Sequence, residues 1–167
     1  MTGEVSIREM LAADAQAVAE LSGELGYPVS TAEMQARIQQ FAKLPDRVAF
    51  VACLGDRVVG WIDVGVVHHL QSGRYGEIGG LVVTSTQRSR GIGKQLVKRA
   101  EEWVAGRGLD TVLVRSRITR EDAHRFYLQQ NFQRLKTSAT FTKQLTNQPV
   151  PENGASHDSP FAPPVSL

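Results

Sequence analysis

Val5 and Ile7 alternate with polar neighbours and predict an opening strand. Asp14 then leads an apolar stripe of helical spacing through Ala17, Val18 and Leu21 to Leu25, which Gly26 stops. Ser30 followed three residues later by Glu33 is a capping-box pattern, and it opens a second helix through Met34 and Ile38 towards Phe41. Residues 48–54 and 57–67 are rich in β-branched side chains and are separated by Gly55-Asp56, which predicts an antiparallel hairpin. A polar loop is expected from His68-His69 through Gln71-Ser72-Gly73-Arg74. A strand follows over 77–84, in which Gly79 and Gly80 mark a bulge or a close backbone approach.

From 91 to 106 the apolar positions Ile92, Leu96, Ala100, Trp103 and Val104 keep helical spacing, and Gly106 or Gly108 supplies the stop. A buried strand is expected at 111–114, and Thr119 with Asp122 resembles a cap. A short helix carrying Ala123, Phe126 and Tyr127 ends near Asn131, a residue that tolerates the left-handed position. Two final strands are expected at 132–135 and 137–145, which completes a mixed α/β order in one domain, 1–146. From 147 to 167 the chain turns rich in Pro and Ser without periodicity, as a flexible tail does.

Composition narrows the class. The chain has 167 residues, 41% of them hydrophobic and 22% charged, the balance of a water-soluble globular domain. No apolar run approaches the length of about 20 residues that a membrane helix needs, and the N-terminus does not read as a signal peptide, so a cytoplasmic protein without a membrane partner is expected. A net charge of +2 is too small to argue for nucleic acid. The cations do concentrate at Arg88, Arg90, Lys94, Lys98 and Arg99, which suits an anionic ligand or a solvated helix face. Cys53 is the only cysteine, so no intramolecular disulfide exists, and its strand-like neighbours suggest a small core residue.

The cations surround the run from Leu81 to Lys94, which reads as a strand entering a glycine-rich turn that opens a helix. The first N–H groups of a helix have no intrahelical partner and its dipole favours an anion there, so phosphate is a natural ligand. Gly91 and Gly93 allow close approach to the backbone, and Arg88, Arg90 and Lys94 add charge-assisted contacts. A P-loop is excluded because Gln95 follows Lys94 where a magnesium-binding hydroxyl is required, and a dinucleotide fingerprint is excluded because position 96 is Leu.

Arg88, Gly91 and Gly93 match the pyrophosphate signature of the GNAT family of N-acetyltransferases, and Ala123-His124-Arg125-Phe126-Tyr127 matches that family's late helix. The sequence therefore resembles that family over nearly all of 5–145. The resemblance implies an α/β (α+β) GNAT fold, with a mixed, mostly antiparallel sheet of six to seven strands flanked by about four helices. It implies acetyl-CoA as co-substrate with no metal, the backbone of Leu81, Val82 and Val83 against the pantetheine arm, and the turn Arg88, Ser89, Arg90, Gly91, Ile92, Gly93 and Lys94 around the pyrophosphate. Homodimers are frequent in the family, so a homodimer is compatible with it.

Direct attack of an amine on a thioester needs a proton acceptor, an oxyanion stabiliser and an acid for the departing thiolate. The resemblance places the acid at Tyr127; its alternative is a core tyrosine. Glu77 is the candidate base, with His124 or an ordered water as alternatives, and a backbone N–H near Val83 suits the oxyanion. The chain departs from the family's pattern at Arg120, where Asn is frequent, at Ser85 and at Asn131; a cation at 120 reaches a phosphate or faces water. The acceptor, a small amine such as an aminoglycoside, polyamine or amino acid, would be shaped by 25–30 and by the loop at His68-His69, with Glu20, Glu24 and Glu33 as attractants. A non-catalytic acyl-CoA-binding regulatory module and a protein N-acetyltransferase are the competing readings.

Overall fold

A computed structural model describes residues 3–145; the tail expected at 147–167 lies outside them. The chain divides into two compact units, Met1–Arg117 and Ile118–Leu167.

In the first unit β1 (Val5–Glu9), β2 (Arg47–Leu54), β3 (Arg57–His69), β4 (Gly73–Val83) and β5 (Val112–Val114) form one sheet in that spatial order. The neighbours from β1 to β4 are antiparallel, and β4 with β5 is parallel. Between the strands run α1 (Ala15–Glu24), α2 (Thr31–Phe41) and α3 (Ile92–Ala105). Period-two alternation divides β3 between two cores. Ile62 and Val64 are fully buried on the face covered by α3, together with Phe50, Leu96 and Val104. Trp61 lies on the opposite face, packed on a cluster of Ala15, Val18, Ala19, Met34, Ile38, Val51 and Cys53 beneath α1 and α2. At Gly76 a Cβ would stand 2.4 Å from a methyl of Val104, so glycine there is what lets α3 approach β4.

Local signals were followed closely at several ends. Ser30 Oγ accepts the Glu33 N–H at 3.2 Å and caps α2, while the Glu33 carboxylate turns to Arg37 instead of closing the box. Asp14 is buried under an ion pair with Arg8 at 2.8 Å and accepts the Leu11 N–H, which holds its carboxyl below the usual range.

Four expectations are corrected. His68 and His69 belong to β3, paired with Arg74 and Gly73 of β4, so the loop shrinks to 70–72. Gly73, at φ +71°, makes that tight turn possible, and stacking of His69 on Tyr75 with ring centres 5.9 Å apart extends the ladder into it. β5 begins at Val112 and is half-buried, as an edge strand is. Thr119 caps nothing: the helix of the second unit, α4 (Glu121–Gln129), follows Arg120 without a side-chain cap bond, and Asp122 pairs with Arg125. The strands expected at 132–135 and 137–145 do not form, leaving five strands among the described residues. Alternation marks a chain suited to pairing but supplies no partner, and Leu135, Phe141 and Leu145 stay exposed.

Candidate active site

The chain leaves β4 at Thr84 and is anchored to the end of α1. The Glu24 carboxylate accepts the Ser85 N–H at 2.9 Å and the Thr84 hydroxyl at 3.1 Å. Glu24 is thereby held against this turn, while Glu33 pairs with Arg37 and Glu20 accepts from Gln16 at 3.2 Å.

After a short 3-10 turn, Ser89 at φ +64° and Gly91 at φ +76° adopt left-handed backbone and curl the main chain into a concave nest. Gly91 is the cap residue of α3 and offers no side-chain bond; the first helical bond is Gln95 N–H to Gly91 C=O at 3.1 Å. The N–H groups of Ile92, Gly93 and Lys94 therefore have no intrahelical partner. Nothing lies within 4 Å of where a Gly91 Cβ would stand, so the nest opens outward. Ile92 itself is buried and pins the helix start, contributing backbone only. Arg90 and Lys94 are exposed beside it, and Arg88 reaches back to the Val83 carbonyl at 3.4 Å. This donor set fits a pyrophosphate.

The strand before the turn is the second component. β5 pairs with β4 only at Gly76, Glu77 and Ile78. From Gly79 to Val83 that edge of β4 has no strand partner within the first unit, so backbone groups along Leu81, Val82 and Val83 are placed to bond an extended ligand arm. The ladder to β3 slips at this same point: Ile78 opposes Val64 and Gly80 opposes Asp63, leaving Gly79 as the extra residue of a bulge.

The bulge carries the site's main electrostatic feature. Asp63 lies across Gly79 and Gly80: a Cβ on Gly79 would fall 2.2 Å from its Oδ1, and one on Gly80 would fall 3.2 Å from its Oδ2 and 2.7 Å from the Trp61 ring. Burial pushes the Asp63 carboxyl up to about 6, reinforced by Glu77 and opposed by Arg47 and by the Gly79 N–H it accepts. Glu77, opposite Gly65 on the same face, is a mid-strand residue instead of a strand start, and it pairs with Arg115 at 3.2 Å. Of these two acids the sequence singled out Glu77 alone. The available signal was an acid between Ile62 and Val64 in a long apolar strand, with two glycines in the next strand to receive it.

In the second unit, Tyr127 is half-buried between Phe126 and Phe132, whose rings meet it edge-on at 5.3 and 5.5 Å. The Phe132 N–H returns to the Tyr127 carbonyl at 3.0 Å, with Asn131 left-handed at φ +65° as expected. Burial raises the Tyr127 phenol above its ordinary value, opposed by Arg120. His124 contacts Arg134 at 3.3 Å. Among the described residues no group of three or more His, Cys, Asp or Glu is arranged to hold a metal, and no helix is long and apolar enough to cross a membrane.

Comparison with known proteins agrees with this geometry. The model of the Acetyltransferase (GNAT) family matches residues 14–132. Aminoalkylphosphonate N-acetyltransferase of Salmonella typhimurium is 36% identical over 96 residues, covering 57% of this chain and 61% of that protein, so the chain aligns with about three fifths of that relative's length. A transcriptional regulator from Bacillus halodurans superposes with TM-score 0.73 at 25% identity, over 84% of this chain and 100% of that one. The aminoglycoside acetyltransferase AAC(6')-Iy, solved with a CoA-acetylneamine bisubstrate analogue, shares the fold with TM-score 0.77 at 16% identity, over 85% and 99%.

Proposed function

We propose that this chain, which belongs to the acetyltransferase (GNAT) family, transfers an acetyl group from acetyl-CoA to the primary amine of a small acceptor by direct attack. The observation that carries the reading is the adjacency of two unsatisfied backbone surfaces: the uncapped N–H groups opening α3, and the β4 edge that β5 leaves unpaired. A ligand with a pyrophosphate on one end and an amide-rich arm on the other uses both. Arg88, Arg90 and Lys94 add charge to the pyrophosphate site, with Ser89 shaping the nest, and Arg120 is assigned to the same ligand's phosphates. The Leu81, Val82 and Val83 backbone holds the arm, and an N–H there stabilises the oxyanion.

Tyr127 is assigned as the acid that protonates the departing thiolate. Its phenol, raised by burial from an ordinary value already near 10, is protonated at neutral pH, as a donor requires. Tyr127→Phe is expected to lower kcat about 100-fold while leaving acetyl-CoA affinity within about threefold; unchanged turnover overturns the assignment. For the acceptor, the Salmonella relative supports a short amine that carries an anionic group, ahead of an aminoglycoside or polyamine.

A thiol-release screen with acetyl-CoA against aminomethylphosphonate, spermidine, lysine and neamine tests the whole reading. Turnover of one of them supports it. Absence of acetyl-CoA binding by calorimetry overturns it.

A further inference from the structure

We infer that Asp63, the β3 residue seated on the Gly79–Gly80 bulge, receives the proton of the acceptor's ammonium, while Glu77, held by Arg115, attracts and orients that ammonium. The inference rests on the acetyl-transfer reading and deepens it by assigning the base.

Three observations lead there. Asp63 and Glu77 lie on one face of the sheet, because Gly80 opposes Asp63 and Glu77 opposes Gly65 across the β3–β4 ladder. Their roles differ by partnership: Glu77 is committed to Arg115, whereas Asp63 forms no ion pair among the described residues and accepts only the Gly79 N–H. Asp63 also lies next to the segment assigned to the pantetheine arm, since its carboxylate covers Gly79 and Gly80, the two residues that immediately precede Leu81 to Val83.

The charged groups facing Asp63 are Arg47 from β2 and Glu77 from β4, with Arg115, the residue after β5, paired to Glu77; the cluster that α1 and α2 contribute to this face is apolar. Asp63 and Glu77 together offer an ammonium two carboxylates, while Arg47 and Arg115 keep the empty site close to neutral. A carboxyl titrating near 6 is a better acceptor at neutral pH than an ordinary aspartate and is still ionised there, which is the compromise general-base catalysis requires.

The step balances as follows. One ammonium proton moves to an Asp63 oxygen, giving a neutral carboxyl and a free amine. The amine's lone pair forms the C–N bond at the thioester carbonyl carbon; the tetrahedral oxyanion collapses and the C–S bond breaks. The thiolate takes a proton from the acid, which regains one from solvent, and the nitrogen's second proton leaves to solvent. Asp63 then releases its proton to solvent.

The test is the pH dependence of kcat/KM for wild type, Asp63→Asn and Glu77→Gln, using the full chain, acetyl-CoA and the fastest of aminomethylphosphonate, spermidine, lysine and neamine. Wild type is expected to show a rising limb centred near pH 6. Asp63→Asn, whose amide oxygen can still accept the Gly79 N–H, is expected to lose about 100-fold at pH 7 and to lose that limb, with acetyl-CoA affinity unchanged. Glu77→Gln is expected to raise KM and keep the limb. A purely structural Asp63 would lower stability and leave the limb in place, which overturns the inference. So does a wild-type profile without an ionisation near 6, a measurement that stands even if the variant misfolds. Turnover by wild type that persists undiminished in Asp63→Asn defeats this inference alone; absence of turnover by wild type defeats the acetyl-transfer reading and this one with it.

Discussion

Gly91 and Gly79 stand at the two ends of one strand–turn–helix segment, and each is glycine for a different reason. Gly91 has φ +76° and open space where its Cβ would be, so conformation is what it provides. Gly79 has no left-handed backbone, but a Cβ on it would collide with the Asp63 carboxylate, so room is what it provides. The first requirement is local and belongs to the turn. The second is imposed by a residue sixteen positions earlier, through the register of β3 against β4. A glycine that serves conformation exposes backbone to a ligand; one that serves room lets a neighbouring side chain lie against the strand.

The largest effect that would separate the two is expected from Gly79→Ala. Overpacking against Asp63 should cost about 1–3 kcal/mol of stability, read from a denaturant midpoint. Turnover should fall at least about tenfold with acetyl-CoA affinity retained, because the carboxylate is displaced while the nest is untouched. Normal turnover would mean that the position of Asp63 is not used.

A second measurement follows stability against pH. Folding raises the Asp63 pKa from 3.8 to about 6, so between those values the folded chain holds a proton that the unfolded chain has released. Asp63 therefore makes the fold less stable as pH rises through that window, by at most about 1.4 kcal/mol per pH unit, and contributes no further slope above it. Asp14 acts in the opposite direction: its lowered pKa adds stability that is present above 3.8 and lost as pH falls through its folded value. Asp63→Asn should remove the first drift and leave the second.

Gly91→Ala is expected to be the mildest, costing about 1–2 kcal/mol for a Cβ in left-handed backbone. It should weaken acetyl-CoA in calorimetry and leave the pH limb of turnover where it is, the reverse of the Gly79 pattern. Gly91→Asn, which tolerates that conformation, should recover part of the loss. If both glycine variants gave the same pattern, the distinction between conformation and room would fail.

The parts of the molecule legible in the sequence are those governed by neighbours along the chain. The amphipathic stripe of α3, with Ile92, Leu96, Ala100 and Val104 all buried, followed from spacing alone. So did the Ser30 cap, the hairpin at Gly55, the left-handed Asn131 and the phosphate-ready turn, because each is fixed by a few consecutive residues. Trp103 shared the stripe's spacing but is only half-buried, with Arg107 stacked on its ring at 4.0 Å. The misplaced elements depended on distant partners. His68 and His69 are strand because β4 pairs with them, and 132–145 has no ladder partner among the described residues.

By itself the sequence determined the family, the donor that family implies and the glycine-rich turn that suits an anion, since helix starts and glycine conformations are short-range properties. Tertiary structure decided where β5 stops pairing along β4, which leaves an edge free, and where the ladder slips, which brings Asp63 over Gly79 and beside Glu77. Register across a sheet is set by packing on both faces at once, with α3 on one and the cluster under α1 and α2 on the other, and that competition has no local signature in the chain.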